Sequence, residues 1–243
     1  MILDGRVTVD GRKAIDPARR VTPERIAIAI DGVRPARATG AVTIVLHKPR
    51  GYLTTRADPH GRKTIYDLLA DVPERVIPVG RLDLATSGLL ILTNDTPFAN
   101  WLTDPATALP RVYLVTVEGR VAAATIAQLE RGVVVDGEHL AAASAAVRKA
   151  SGQESHLTIT LTEGRNREIR RLLDAVDHPV TRLRRVQFGG LSLGDLEPGT
   201  WRYVSAAELT AAFPGYQSLD SHATSRRRLL AQGEPRKRVP RPK

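Results

Sequence analysis

Residues His156–Thr162 read His-Leu-Thr-Ile-Thr-Leu-Thr, alternating apolar and polar without a break. A period of two places Leu157, Ile159 and Leu161 on one face and the threonines on the other, the pattern of a half-buried strand. Val112–Glu118 is read as a second strand of this kind. The apolar runs Val42–Leu46 and Leu89–Thr93 suit buried strands. Helical signals are fewer. Thr64–Ala70 reads as a short helix capped by Thr64, and Asn94-Asp95-Thr96-Pro97 starts another, with an Asx cap and Pro in the first turn. Ala122–Arg131 has apolar residues at helical spacing and stops at Gly132, and Glu168–Val176 has the same rhythm. Strands dominate, with a few helices between them, and the order is not a clean βαβαβ alternation. The expected class is α+β with a mixed sheet.

The chain divides unevenly. Val7–Gly11 and Arg25–Ile30 are short strand signals closing on glycine turns, which makes residues 1–33 a small β-rich unit. Residues 34–40 read as a linker and 41–217 as the main domain. Residues 218–243 are polar and basic enough to be expected disordered. A hydrophobic fraction of 42% supplies a core, so disorder of the whole chain is excluded. Aromatics at 4% disfavour a single-strand binder built on stacking platforms. The chain has no cysteine, which removes disulfides, thiolate metal sites and cysteine nucleophiles. The longest apolar run, Leu89–Leu92, is far short of the roughly 18 residues of a membrane span. Met1–Arg6 lacks a secretory hydrophobic region. The expectation is a soluble cytoplasmic protein with no membrane partner. Of the net charge of +10, residues Ser225–Lys243 hold +7, from eight basic side chains against Glu234. A basic tail of this kind points to a polyanion partner such as nucleic acid, with a merely solvated end as the alternative.

Three segments could carry chemistry. Gly80-Arg81-Leu82-Asp83-Leu84-Ala85-Thr86-Ser87-Gly88 sets one carboxylate two residues after one guanidinium, between glycines that permit a tight turn and the approach of a ligand. A strand follows at once and anchors the loop. An acid so held can act as nucleophile or general base, or it can simply cap a turn or pair with Arg81. In Glu163-Gly164-Arg165-Asn166-Arg167-Glu168-Ile169-Arg170-Arg171, four arginines lie within seven residues, followed by Arg182, Arg184 and Arg185. Spacings of three and four would put Arg167, Arg170 and Arg171 on one helix face, opposite a buried face of Ile169, Leu172, Leu173 and Val176. Such a cluster suits phosphate or carboxylate, or a solvated face paired with Glu163, Glu168, Asp174 and Asp177. Arg111-Val112-Tyr113 places a basic residue and a tyrosine on one strand face, where tyrosine can stack on a base or fill the core. The six histidines are scattered, so no metal site is expected, and no phosphate-loop or dinucleotide signature occurs.

In this order the segments closely resemble the RsuA/RluB-type family of ribosomal RNA pseudouridine synthases. The resemblance rests on Gly80-Arg81-Leu82-Asp83 with Thr86, Gly88 and Leu92-Thr93-Asn94-Asp95, on Arg111-Val112-Tyr113, and on Glu163-Gly-Arg-Asn-Arg-Glu-Ile-Arg-Arg-Leu-Leu173. Val186-Gln-Phe-Gly-Gly-Leu-Ser-Leu193 with Pro198-Gly199 and Arg202 extends it, and His47-Lys48-Pro49-Arg50-Gly51 resembles the family's opening strand and turn. It covers roughly residues 42–209. It implies a catalytic domain with a mixed, mostly antiparallel sheet flanked by helices, acting without cofactor or metal. It maps the catalytic aspartate onto Asp83, the base-stacking tyrosine onto Tyr113 and the aspartate's basic partner onto Arg170. Arg81 matches an arginine that helps hold a flipped nucleotide. Lys48, Arg165, Asn166, Arg167, Arg171 and Arg185 are the remaining expected RNA contacts.

The resemblance also implies that residues 1–33 form part of an αL-type RNA-binding module. Ile2–Gly11 matches its second half, and the two helices that should precede that half do not stand before it. Glu168 stands where many relatives have Gln, and Thr96 where Gly is common. The implied partner is ribosomal RNA, or ribosome assembly intermediates containing it. The large subunit is favoured because Arg165–Leu173 is closer to that branch, with small-subunit rRNA as the alternative. A monomer is the family default. Two other functions compete: a non-catalytic RNA-binding assembly factor, and an unrelated carboxylate enzyme such as a glycosidase. The last would need two acids facing one bond, and the Asp83 loop offers one.

Overall fold

The computed structural model describes residues 1–21, 26–34 and 40–216. Most of the expected linker and all of the expected tail lie outside these residues. The chain forms two compact units, Met1–Ala41 and Val42–Lys243. In the first, β1 (Val7–Val9), β2 (Arg12–Lys13) and β3 (Ile28–Ile30) make an antiparallel sheet in the order β2-β1-β3. Val9 pairs with Arg12, so Asp10 and Gly11 alone make the turn. Both have positive φ, 49° and 77°, as a two-residue primed hairpin turn requires. Val7, Val9 and Ala14 form its small core. No helix occurs among its described residues.

The second unit contains β4 (Thr43–Lys48), β5 (Ile77–Pro78), β6 (Thr86–Thr93), α1 (Thr96–Thr103), β7 (Arg111–Glu118) and α2 (Ala123–Arg131). The hairpin strands β8 (Val133–Val135) and β9 (Glu138–Leu140) follow, then β10 (Ser144–Ala150), β11 (Glu154–Leu161) and α3 (Glu168–Asp174). The last elements are β12 (Val180–Phe188), β13 (Leu191–Ser192), β14 (Trp201–Tyr203) and α4 (Ala206–Ala212). Nine strands form one sheet in the order β10-β11-β7-β12-β6-β4-β14, with β13 on β12 and β5 on β6. Every pairing is antiparallel except β6 with β12. The expected α+β class with a mixed, mostly antiparallel sheet is therefore what the chain adopts. No helix among the described residues is long and apolar enough to cross a membrane.

The sheet follows from the patterns that predict it. In β11, Leu157, Ile159 and Leu161 are buried against α2 and α3. In β6, Leu89 to Leu92 are all fully buried. Leu90 and Leu92 join Ile44, Leu46 and Ile65 on one side, while Leu89 and Ile91 join Phe98 and Leu102 of α1 on the other. Each such side chain contributes about 1.5–3 kcal/mol on burial. Helix α1 starts where the cap residues say. Asp95 accepts a hydrogen bond from the Phe98 amide at 3.0 Å, and Pro97 lies in the first turn.

Four elements depart from expectation. The helix expected at Thr64–Ala70 is a single 3₁₀ turn, Ile65–Leu68, braced by the Thr64 amide donating to Asp67 at 2.7 Å. Helix α3 ends at Asp174, short of Val176, and Arg167 precedes it with φ 49°, so Arg167 does not share a helix face with Arg170 and Arg171. The arginines 182, 184 and 185 belong to strand β12, which the charge run hid. Gly88 was expected to admit a ligand. Instead it faces the β12 backbone, with φ +111°, and a Cβ there would overlap the Arg185 carbonyl.

Candidate active site

Strands β6, β7 and β12 and the loop before α3 line one cleft of about 520 Å³. That is within the range of about 300–1,000 Å³ typical of small-ligand sites. Gly80 to Asp83 form one wall, Arg111 and Tyr113 of β7 and Leu183, Arg185 and Phe188 of β12 the floor, and Glu163–Arg170 the other wall. Of the expected site residues, Asp83, Tyr113, Arg170, Arg81, Arg165, Asn166, Arg167 and Arg185 are all brought to this cleft. Lys48 and Arg171 are not among its lining residues.

The Asp83 loop is pinned from below. Lys48 is fully buried, and its Nζ donates to the carbonyls of Asp83 at 3.0 Å, Thr86 at 2.9 Å and Pro49 at 3.2 Å. Three acceptors match the three N–H donors of an ammonium. Burial lowers the Lys48 pKa to about 8, and the nearby Asp83 charge opposes that fall. The RNA contact expected of Lys48 is thus corrected: it is a strut under the loop, with no free donor for phosphate. The Thr54 hydroxyl adds a bond to the Leu82 carbonyl at 2.8 Å, and the Gly51 amide donates to the Leu84 carbonyl at 2.8 Å.

These ties leave the Asp83 carboxylate partly exposed, with side-chain exposure of 38%. Its ion-pair partner is Arg167, with Nη1 3.7 Å from Oδ2. The family resemblance maps that partner onto Arg170. Arg170 donates to the Val180 carbonyl at 3.0 Å and makes no direct ion pair with Asp83. Burial, with Arg167 and Arg50 nearby, lowers the Arg170 pKa, and Asp83 works the other way. The left-handed turn at Arg167 is what carries its guanidinium to the carboxylate ahead of the helix.

Tyr113 is buried at 8% exposure and lies on the cleft floor. Arg165 bonds Glu163 at 2.9 Å and the His139 carbonyl at 2.7 Å, which fixes the rim loop. Arg171 faces away from the cleft: it pairs with Glu138 at 2.6 Å and Asp136 at 3.5 Å, tying α3 to the β8–β9 hairpin. Its expected role as an RNA contact is corrected to that tether. Sequence reasoning did not place Thr86, Glu168 or Phe188 in the site. Glu168 is 3% exposed, with Oε2 accepting the Arg165 amide at 3.1 Å, and burial raises its pKa. Its side chain braces the rim loop against α3. Among the described residues no group of His, Asp and Glu is arranged to hold a metal ion.

Residues 42–175, which supply every lining element except β12, match the RNA pseudouridylate synthase family, and the chain belongs to that family. The resemblance read from the motifs is thereby borne out. An uncharacterized RNA pseudouridine synthase of Aquifex aeolicus is 41% identical over 214 residues, covering 88% of this chain and 86% of the relative. The ribosomal large subunit pseudouridine synthase B of Bacillus subtilis is 35% identical over 211 residues, covering 86% of each. A crystal structure of a pseudouridylate synthase superposes with a TM-score of 0.63 at 25% identity, over 86% of this chain and 89% of that one.

Proposed function

We propose that this protein isomerises a uridine of ribosomal RNA, in the large subunit, to pseudouridine, with Asp83 as the nucleophile. The observation that carries the reading is the Asp83 carboxylate, held open to the cleft on a loop fastened by Lys48, with Tyr113 on the floor of the same cleft. Relatives from Bacillus subtilis and Shigella flexneri named ribosomal large subunit pseudouridine synthase B support the choice of RNA. The cytoplasm is the compartment this substrate requires.

A uridine within a helix is out of reach of a cleft side chain, so the target nucleotide must flip out, at a cost of a few kcal/mol. Arg81, Arg165, Asn166 and Arg167 rim the cleft and meet the phosphates that position the RNA. Tyr113 stacks on the flipped base. Asp83 adds to the substrate, the C1′–N1 bond breaks and its electron pair leaves with the uracil. The ring turns, C5 bonds to C1′, the Asp83–substrate bond breaks and returns its electron pair to the carboxylate, the C5 proton departs to solvent and N1 takes up a proton. Atoms and electrons balance without an external oxidant or reductant. Arg167, 3.7 Å from the Asp83 carboxylate, and Arg170 are the cations on the cleft wall that balance its charge.

The test is to incubate the protein with large-subunit rRNA, small-subunit rRNA and ribosome assembly intermediates, then map pseudouridine by carbodiimide-dependent reverse-transcription stops. A new stop in large-subunit rRNA is expected. A stop confined to small-subunit rRNA overturns the choice of substrate, and none in any of these overturns the activity.

A further inference from the structure

Arg111 and Arg185 are two buried guanidiniums; the Glu168 and Glu163 charges favour the Arg111 cation without a direct ion pair. The two arginines are 7% and 3% exposed, and neither forms an ion pair among the described residues. Both pack on one ring: the guanidinium carbon of Arg111 lies 4.8 Å from the Phe188 centroid and that of Arg185 lies 5.2 Å from it. Both are held rigidly. Arg111 Nη1 donates to the Thr162 carbonyl at 2.9 Å, and Arg185 Nε donates to the Leu89 carbonyl at 2.8 Å. Arg185 Nη2 is buried without a partner. All three residues line the active cleft.

Burying like charges side by side is costly unless a counter-charge arrives. The carbonyls of Thr162 and Leu89 take up only one nitrogen of each guanidinium, and Arg185 Nη2 is left over for a ligand. The proposed function, on which this inference rests, supplies one anion per nucleotide. Spacing selects which. Arg111 and Tyr113 are two residues apart on β7 and face the same cleft, so their Cα atoms are separated by about 6.6–6.8 Å. That is close to one nucleotide step, so a base stacked on Tyr113 brings a neighbouring phosphate over Arg111. We infer that Arg111 and Arg185, seated on Phe188, form a subsite for the phosphodiester flanking the flipped nucleotide. Arg111 is the primary contact and Arg185 adds charge behind it. The bidentate fork of Arg111 suits a phosphate.

The test uses an rRNA hairpin carrying the mapped uridine, with the phosphodiester on its 5′ or its 3′ side replaced in turn by an uncharged methylphosphonate. Binding and pseudouridine formation are measured for the wild type, Arg111→Met and Arg111→Lys. In the wild type one of the two replacements is expected to weaken binding about tenfold or more. Arg111→Met is expected to weaken binding of unmodified RNA by a similar factor, to show no further loss with that methylphosphonate, and to lower the slope of log K against log salt by about one. Arg111→Lys is expected to retain sensitivity to the replacement. A merely structural Arg111 would lower thermal stability and leave the methylphosphonate penalty intact, which overturns the inference. If Arg111→Met does not fold, Arg185→Met and the wild-type methylphosphonate comparison decide. Equal tolerance of both replacements by the wild type overturns the subsite alone, because pseudouridine still forms. Absence of product from any RNA overturns the functional reading and this inference with it.

Discussion

Replacing Gly88 with alanine puts a methyl group where β6 and β12 touch. The site has two constraints. Its φ of +111° is one that residues with a side chain rarely adopt, and a Cβ would overlap the Arg185 carbonyl across the parallel pairing. The obstacle is backbone, so no side-chain rotation relieves it. Strain in a sparsely populated φ region costs about 1–3 kcal/mol and overpacking about 1–3 kcal/mol more, for a total of about 2–6 kcal/mol. At about 2–4 °C per kcal/mol for a domain of this size, the melting temperature falls by about 4–24 °C. Gly80 is the control. It has φ +69° but nothing within 4 Å of a new Cβ, so Gly80→Ala is expected to cost only about 1–2 kcal/mol. The assay is thermal and urea unfolding of both variants beside the wild type. Equal losses for the two would refute the claim that close approach of β12, rather than backbone conformation alone, fixes glycine at position 88. Activity of Gly88→Ala below its melting temperature should also fall, because β12 carries the cleft floor.

Further expectations concern the supports of the site. Lys48→Met removes the donor to three carbonyls and is expected to cost about 2–4 kcal/mol and to lower kcat more than it raises KM, by unfolding titration and steady-state kinetics. The folded pKa of Lys48, about 8, is below its unfolded value of about 10.4, so the unfolded chain binds more protons between them. The Lys48 contribution to stability therefore rises with pH from about 8 to 10.4, and Lys48→Met should abolish that rise in urea titrations across the range. Arg167→Ala is expected to reduce the salt slope of RNA binding by about one, whereas Arg171→Ala leaves the slope unchanged and loosens the β8–β9 hairpin in hydrogen exchange. Asp95→Ala, which loses the α1 cap, should cost about 1 kcal/mol and leave kcat unchanged.

Strands and helices with a clean apolar period were legible: β6, β11, α1 and α2 are close to where the pattern puts them. Strand β12 was not, because arginines at 182, 184 and 185 mask its period, and only Leu183 and Phe188 betray a buried face. Strand β10, Ser144–Ala150, is rich in alanine and mostly exposed, so it carries little apolar signal. The motifs gather Asp83, Tyr113, Arg81, Arg165, Arg167, Arg170 and Arg185 into one cleft, as expected from their resemblance to a family. What spacing could not supply is direction. A left-handed residue before α3 hands the Asp83 ion pair to Arg167, and three carbonyls draw Lys48 inward. Arg171 turns to the acids of a hairpin that the sequence reading did not resolve.

The central claim is that Asp83 performs uridine isomerisation in this cleft. Ribosomal RNA labelled with tritium at uridine C5 releases the label only when C5 forms its new bond. Tritium release should be measured for the wild type and for Asp83→Asn, with RNA binding followed in parallel. The account predicts release by the wild type up to a stoichiometric limit, and none by Asp83→Asn at undiminished RNA affinity. Release by Asp83→Asn at the wild-type rate would contradict it.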